Sequence, residues 1–533
     1  MKTSKTGLVG LGLLAVAVAA TAASTPSAHP VVVRPVDTTS CDSLAAIALP
    51  DTTITAAERV PAGSFSAVGG QAEATHAAFK MLPAFCRVAG VIKPSPDSTI
   101  RFEVWLPLEG WNQRFQGVGN GGFAGTISYS AMAAALQNGY ATASTDTGHE
   151  AEAGMSTATW ALLSPDRIKD FGDRAVHEMT VKSKVVVAQY YGSQPLYSYW
   201  IGCSEGGRQG MGEAQKYPTD YDGIVAGAPV FGFTNTQTRS LALQRILRED
   251  PSAFVPGSKL RMLNQAVLSR CDGLDGVQDG VIENPPTCPF DPADIQCVGG
   301  DAADCLTPSQ VRLMRAQYSG PRNPRTGELI VPGNSVGFEL ELGERNDFRE
   351  TPPEQPALPS AFWRYFVFDD PNWDGTTFDF DQDLAFAERK LGAVMNNFDP
   401  DLRPFAARGG KLIHYHGWSD PQPSPMNSIA YFNNVQSTVA EDTSEFYRLF
   451  MIPGMGHCSG GTGTDQFDKL AAIRAWVEEG KAPETLIAER MVDGQVVRTR
   501  PLCPYPQVAT YKGTGDTDDA RSFVCAAPQY SNR

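Results

Sequence analysis

The chain has 533 residues, 42% of them hydrophobic, enough for one large core with an insertion or for two smaller ones. A formal net charge of −15 and an isoelectric point near 5.0 exclude a nucleic-acid partner of the usual kind, which requires a basic stripe to displace counterions from phosphates. No window after the N-terminal stretch is apolar for long enough to span a bilayer, so a membrane partner is not expected either.

Lys2 and Lys5 precede an apolar run over 8–20 that ends in Ala20-Thr21-Ala22, the order of a secretory signal and its cleavage site. Residues 1–22 are expected to be removed, leaving a periplasmic or extracellular protein. Residues 41–86 mix short apolar runs without a period. From 99 the pattern firms. Residues 99–107 alternate as a strand, 115–118 form a second that runs into Gly119-Asn120-Gly121-Gly122, 129–137 read as a helix, and 140–147 as another strand. A helix over 174–191, a strand over 196–201, a helix over 208–217 and a buried strand over 221–229 follow. This alternation predicts an α/β fold, a mostly parallel sheet with helices on both faces.

The rhythm breaks between 230 and 404, where short helical pieces, two close cysteine pairs, a proline-rich stretch and an aromatic cluster predict an inserted subdomain. It would divide a core into a first part over 23–229 and a second over 405–533. Strands resume at 411–416 and 446–452, and 467–479 reads as the last helix.

Ten cysteines suit an oxidising compartment. Their spacing suggests pairing Cys41 with Cys86, Cys271 with Cys288, Cys297 with Cys305 and Cys503 with Cys525, which leaves Cys203 for Cys458; other connectivities stay open. No Cys-x-x-Cys pair points to zinc.

Gly202-Cys203-Ser204-Glu205-Gly206 lies where an apolar strand meets a helix. That is the layout of a nucleophile elbow, a turn so tight that glycines flank an exposed serine. Downstream come Asp420, after a strand, and His457, giving the order Ser…Asp…His expected of α/β-hydrolases. Ser204 would be the nucleophile, His457 the general base, and Asp420 the group that fixes the imidazole. A Cys203–Cys458 bridge would hold its Cα atoms roughly 4.4–6.8 Å apart and carry Ser204 and His457 together. The oxyanion donors would be the backbone N–H of Glu205 and that of Gly122 in the glycine-rich turn.

Seven histidines supply rivals. His414 and His416, two apart on a strand, share one face and have the spacing of a metal pair, but buried hydrogen-bonded histidines are the simpler expectation. His149 precedes the serine and breaks the order. Between Cys271 and Cys288, Asp272, Asp275 and Asp279 alternate with glycines. With the carbonyls of Val277 and Val281 they form an all-oxygen set suited to a structural Ca2+; a solvated acidic turn is the blander expectation. Aromatics between Phe362 and Trp373 would either line a ring-binding pocket or form the insert's own core.

The chain resembles the tannase and feruloyl esterase family of α/β-hydrolases, marked by a Cys-Ser…Asp…His-Cys arrangement with the cysteines bridged. Here the matching residues are Cys203-Ser204, Asp420 and His457-Cys458. The resemblance implies a lid domain over 230–404 that covers the serine and carries Ca2+ on Asp272, Asp275, Val277, Asp279 and Val281. It also implies small aromatic ester substrates of the feruloyl, caffeoyl or galloyl type. A bacterial branch hydrolyses the mono-hydroxyethyl ester of terephthalate. Pro423 stands where that branch has an aromatic residue, and 362–368 look more like the general feruloyl esterase pattern, so this activity ranks second. Behind it stand a peptidase, which the elbow also fits, and a calcium-stabilised binding protein that has lost catalysis. No feature specifies an oligomeric state.

Overall fold

Nine strands form one sheet in the order β1-β2-β3-β5-β4-β6-β7-β8-β9. They are β1 (Thr52–Val60), β2 (Phe85–Ile92), β3 (Ile100–Pro107), β4 (Arg114–Val118), β5 (Ala141–Thr145), β6 (Tyr197–Cys203), β7 (Gly223–Gly227), β8 (Lys411–Gly417) and β9 (Tyr447–Ile452). Strands β1 to β3 and the β3–β5 pair run antiparallel, and every pairing from β5 through β4 to β9 is parallel. The computed structural model describes residues 40–67, 77–151, 158–351, 361–440 and 442–528, so the signal expected at 1–22 lies outside the described residues.

The central strands β5 and β7 are buried at every position. This is the signature of a sheet covered on both faces, and it explains why β7 is continuously apolar or small and why β5 carries only alanine and small hydroxyl residues. The helices α1 (Tyr129–Gln137), α2 (Ala175–Tyr191) and α3 (Glu205–Lys216) each connect neighbouring parallel strands of this region or lead into one. α1 has the predicted bounds, and α2 is preceded by a π-helical turn over Asp170–Arg174.

Between β7 and β8 no described residue joins the main sheet. That segment holds α4 (Phe233–Glu249), α5 (Gly257–Cys271), α6 (Pro308–Ser319), α7 (Glu339–Arg345) and α8 (Gln382–Met395). After β8 come α9 (Pro425–Val439) and α10 (Lys469–Glu479). Two hairpins, β10 (Leu486–Val492) with β11 (Gln495–Leu502) and β12 (Val508–Tyr511) with β13 (Phe523–Ala526), follow in the C-terminal region.

Five disulfides join Cys41 to Cys86, Cys203 to Cys458, Cys271 to Cys288, Cys297 to Cys305, and Cys503 to Cys525. Among the described residues no helix is long and apolar enough to cross a membrane.

Candidate active site

Strand β6 ends in Cys203 and α3 begins at Glu205, so Ser204 alone makes the turn. Its φ of 61° and ψ of −118° lie where a side chain is strained. The turn closes only because its neighbours lack side chains. A Cβ on Gly202 would stand 2.3 Å from the carbonyl oxygen of Gly206, and one on Gly206 would stand 3.0 Å from the Cα of Gly119. The Ser204 amide donates to the Gly227 carbonyl at 3.0 Å, locking the elbow to the end of β7.

Asp420 follows β8 and its side chain is fully buried. Its Oδ2 accepts from His457 Nδ1 at 2.7 Å and from His416 Nε2 at 3.1 Å, and its Oδ1 accepts the Gln422 amide at 2.8 Å. Burial pushes this carboxyl upward more than any other single influence, yet the imidazoles of His457 and His416 together hold it well below the usual carboxylate range. Asn334, from the segment between β7 and β8, donates to the carbonyls of Asp420 and Pro421 at 3.3 and 2.9 Å. The Cys203–Cys458 bridge, with its Cα atoms 6.0 Å apart, joins the residue before Ser204 to the residue after His457. Ser204, Asp420 and His457 are thus tied to one another by backbone neighbours, a disulfide and a hydrogen bond.

Glu205 contributes the first amide of α3, which has no intrahelical acceptor and sits at the positive end of the helix. Gly122, with φ of 56°, lies in the turn after β4. The Gln209 and His149 side chains brace that turn, and neither has a local sequence signal. Asn120 exchanges hydrogen bonds with the Gln209 side chain at 3.1 Å each and accepts the Gly206 amide at 2.8 Å. His149 bonds through Nε2 to the Phe123 carbonyl at 2.7 Å and stacks on Trp160 at 3.7 Å. Burial pushes His149 down to about 4, so the ring is neutral and holds the turn rather than serving as a base. The buried Glu205 carboxylate points away from this chemistry: Arg208 clasps both its oxygens and donates onward to the carbonyls of Gly172 and Phe171.

The aromatic cluster resolves in favour of packing. Phe362, Trp363 and Phe366 are completely buried, and Phe366 stacks on Phe123, next to Gly122, at 5.4 Å. These rings are therefore core, and they attach the insert to the glycine-rich turn.

In the aspartate loop, Gly276 and Gly280 take φ of 89° and 80°. Asp275 accepts the Val277 amide, Asp272 accepts those of Asp279 and Gly280, and Asp279 accepts that of Val281. Arg498 and Arg500 both reach the other Asp279 oxygen. Burial first, and then Asp279 and Asp272, push the Asp275 carboxyl up to about 6. The donor set fits a hard cation. With Asp279 neutralised by arginine, the charge left on Asp272 and Asp275 matches one divalent ion. A second group of donors, His177, Glu213 and Asp220, lies beside the far end of α3. His177 already pairs with Asp220 at 2.7 Å, and burial with the Asp220 charge raises Glu213 well above its ordinary value.

A mostly parallel sheet, a strained serine between β6 and α3, and an Asp–His pair on the loops after β8 and β9 define an α/β-hydrolase. The chain belongs to the tannase and feruloyl esterase family, whose model matches residues 86–526. Members of this family are carboxylic ester hydrolases, and so is this chain. It is 40% identical over 531 residues to an uncharacterized esterase of Xanthomonas campestris pv. campestris, covering 91% of each chain. It is 34% identical over 524 residues to mono(2-hydroxyethyl) terephthalate hydrolase of Piscinibacter sakaiensis, covering 84% of this chain and 85% of that one. The crystal structure of feruloyl esterase B from Aspergillus oryzae superposes with a TM-score of 0.82 at 31% identity, covering 91% of this chain and 99% of that one.

Proposed function

We propose that the protein is a secreted serine esterase that hydrolyses esters of aromatic acids of the hydroxycinnamic or gallic type through an acyl-enzyme. The observation that carries this reading is the Asp420–His457 hydrogen bond beside a disulfide that fixes His457 to the strained Ser204 elbow. Ser204 Oγ attacks the ester carbonyl while His457 Nε2 takes its proton. The Asp420 carboxylate holds Nδ1–H and offsets the charge of the imidazolium. The amides of Glu205 and Gly122 receive the developing oxyanion. His457 then protonates the departing alcohol, and a water activated by the same ring releases the acid. Secretion is supported by the N-terminal signal pattern and the five disulfides.

The aromatic acyl group is supported by the names of the relatives, one a feruloyl esterase and one a terephthalate monoester hydrolase. Turnover of methyl ferulate, methyl gallate, chlorogenate and mono(2-hydroxyethyl) terephthalate tests it. The hydroxycinnamates are expected to lead, with the terephthalate monoester as the second reading. Failure to cleave any of the four would sink the proposal.

The same reading assigns 230–404 as a lid and places a structural Ca2+ on Asp272, Asp275 and Asp279 with the carbonyls of Val277 and Val281. The ion would lend charge and rigidity to the loop and take no part in bond breaking. Chelation by EDTA is expected to lower Tm by a few degrees, in line with about 2.7 kcal/mol for a ligand held at a hundred times its Kd. Added Ca2+ should restore the loss, and Mg2+, which demands a tighter octahedral shell, should not. An unchanged Tm after exhaustive chelation would remove the ion from the account.

A further inference from the structure

Behind Asp420 runs a file of polar groups that the hydrolytic steps do not use. His416 and His414 lie on β8, Ser428 on α9 and Tyr447 on β9, and all four are fully buried. His416 Nε2 is 3.1 Å from Asp420 Oδ2 and 3.2 Å from the Pro423 carbonyl. Its Nδ1 is 2.6 Å from Ser428 Oγ, which is 2.8 Å from His414 Nε2, and His414 Nδ1 is 2.8 Å from the Tyr447 hydroxyl.

For neutral rings, the hydrogen-bond partners give this file one direction. Both neighbours of His416 Nε2 are pure acceptors, so that nitrogen carries the proton. A neutral ring then accepts at Nδ1, which obliges Ser428 to donate to it. Ser428 has one hydroxyl proton, so its oxygen accepts from His414 Nε2–H, and His414 Nδ1 accepts from the phenol of Tyr447. Burial drives His414 well below its ordinary range and raises Tyr447 well above its own, so neither is charged. With both rings neutral, every donor in the file is aimed toward Asp420.

We infer that His416 is a positioning residue for the ester hydrolysis proposed above: its Nε2–H, oriented by Ser428, His414 and Tyr447, fixes the Asp420 oxygen that receives His457. The inference rests on that proposed triad. Because His416 and His457 share Oδ2, the first also limits how strongly the carboxylate can hold the second as an imidazolium. Without the His416 donor, Asp420 would swing more freely and grip a protonated His457 harder. The free base would then form only at higher pH.

Other charges face the same pair. Arg239 of α4 and Arg345 of α7 both feel the Asp420 charge, and Glu341 of α7, raised to about 7 by burial, Glu344 and Asp420, stands against Gly456 beside His457. The profiles are therefore best measured in a Glu341→Gln background as well as in the natural chain, so that titration of Glu341 is not mistaken for that of the base.

The test measures kcat and KM on an aryl ester against pH for the full chain, normalised to sites labelled by a fluorophosphonate. His416→Leu is expected to lower kcat per labelled site roughly tenfold, the loss of one charge-assisted hydrogen bond, with KM within about twofold. The acidic limb of kcat/KM should move up by about half to one pH unit. His416→Gln places an amide N–H where Nε2–H stood and is expected to return the limb toward its original position. Should His416→Leu fail to fold, Ser428→Ala removes the donor that fixes the ring's tautomer and should move the limb the same way. A folded, fully labelled His416→Leu with an unmoved limb overturns the positioning role alone, as does a Gln variant that behaves like Leu. A natural chain that neither labels nor turns over overturns the esterase reading and this role with it.

Discussion

Replacing Ser204 by Ala is expected to abolish measurable turnover of aryl esters and labelling by a fluorophosphonate while leaving the fold intact. Removing the nucleophile of a serine hydrolase typically costs about 10⁶ in kcat, and the residual comes from the oxyanion donors and substrate binding. The elbow should survive for a local reason. Its closure depends on Gly202 and Gly206, where a Cβ would meet backbone atoms, and on the bond from the residue-204 amide to Gly227. Alanine keeps that amide and merely shortens the side chain. The left-handed φ of 61° is strained for alanine as it is for serine, so Tm should move by no more than a degree or two. The decisive comparison is therefore activity against stability. Loss of both together would leave the nucleophile unassigned, and retained turnover in Ser204→Ala would remove the serine mechanism altogether.

The parts of this site that can be read in advance are those whose chemistry is written locally. Ser204 sits inside its own motif, α1 obeys helical spacing between clear stops, and the buried strand β7 is continuously apolar or small. The parts that escape depend on partners far away in the chain. β1 is not legible because it is an edge strand whose register slips between Ile54 and Ala56, so its apolar residues do not alternate cleanly. β11 escapes for a related reason, since Val496 and Val497 of its hairpin remain nearly half exposed. His416 and His414 are visible as a pair on one strand face, but their direction of donation depends on Ser428 and Tyr447, which belong to other elements. The aromatic run near Phe362 gives no hint whether it faces a substrate or its own neighbours. Packing against Phe123 and Trp160 decides that, and it makes the insert part of the support for the Gly122 turn.

Removing the Cys203–Cys458 bridge by changing both cysteines to alanine should reduce kcat by about a hundredfold or more and also lower stability. The two effects have separate origins. A cross-link with a sequence separation of 255 restricts the unfolded chain. The chain-entropy model assigns it roughly 5–6 kcal/mol, an upper figure that native-state relaxation commonly reduces. The catalytic effect follows from position. Cys458, one end of the bridge, has φ of 69°, and Ser204, next to the other end, has φ of 61°, so a strained residue lies at or beside each end and the bridge opposes its relaxation. Freed from it, the loop carrying His457 keeps its hydrogen bond to Asp420 and its backbone contacts but loses its covalent tie to the elbow. A displacement of about 1 Å between nucleophile and base is enough for a hundredfold loss. Measuring kcat well below the variant's own Tm separates the contributions. If the double variant, fully folded at low temperature, turns over as fast as the natural chain, the bridge is a staple for stability and nothing more. If kcat falls while the Asp420–His457 pair remains intact in a structure of the variant, the disulfide is what holds the base against the serine.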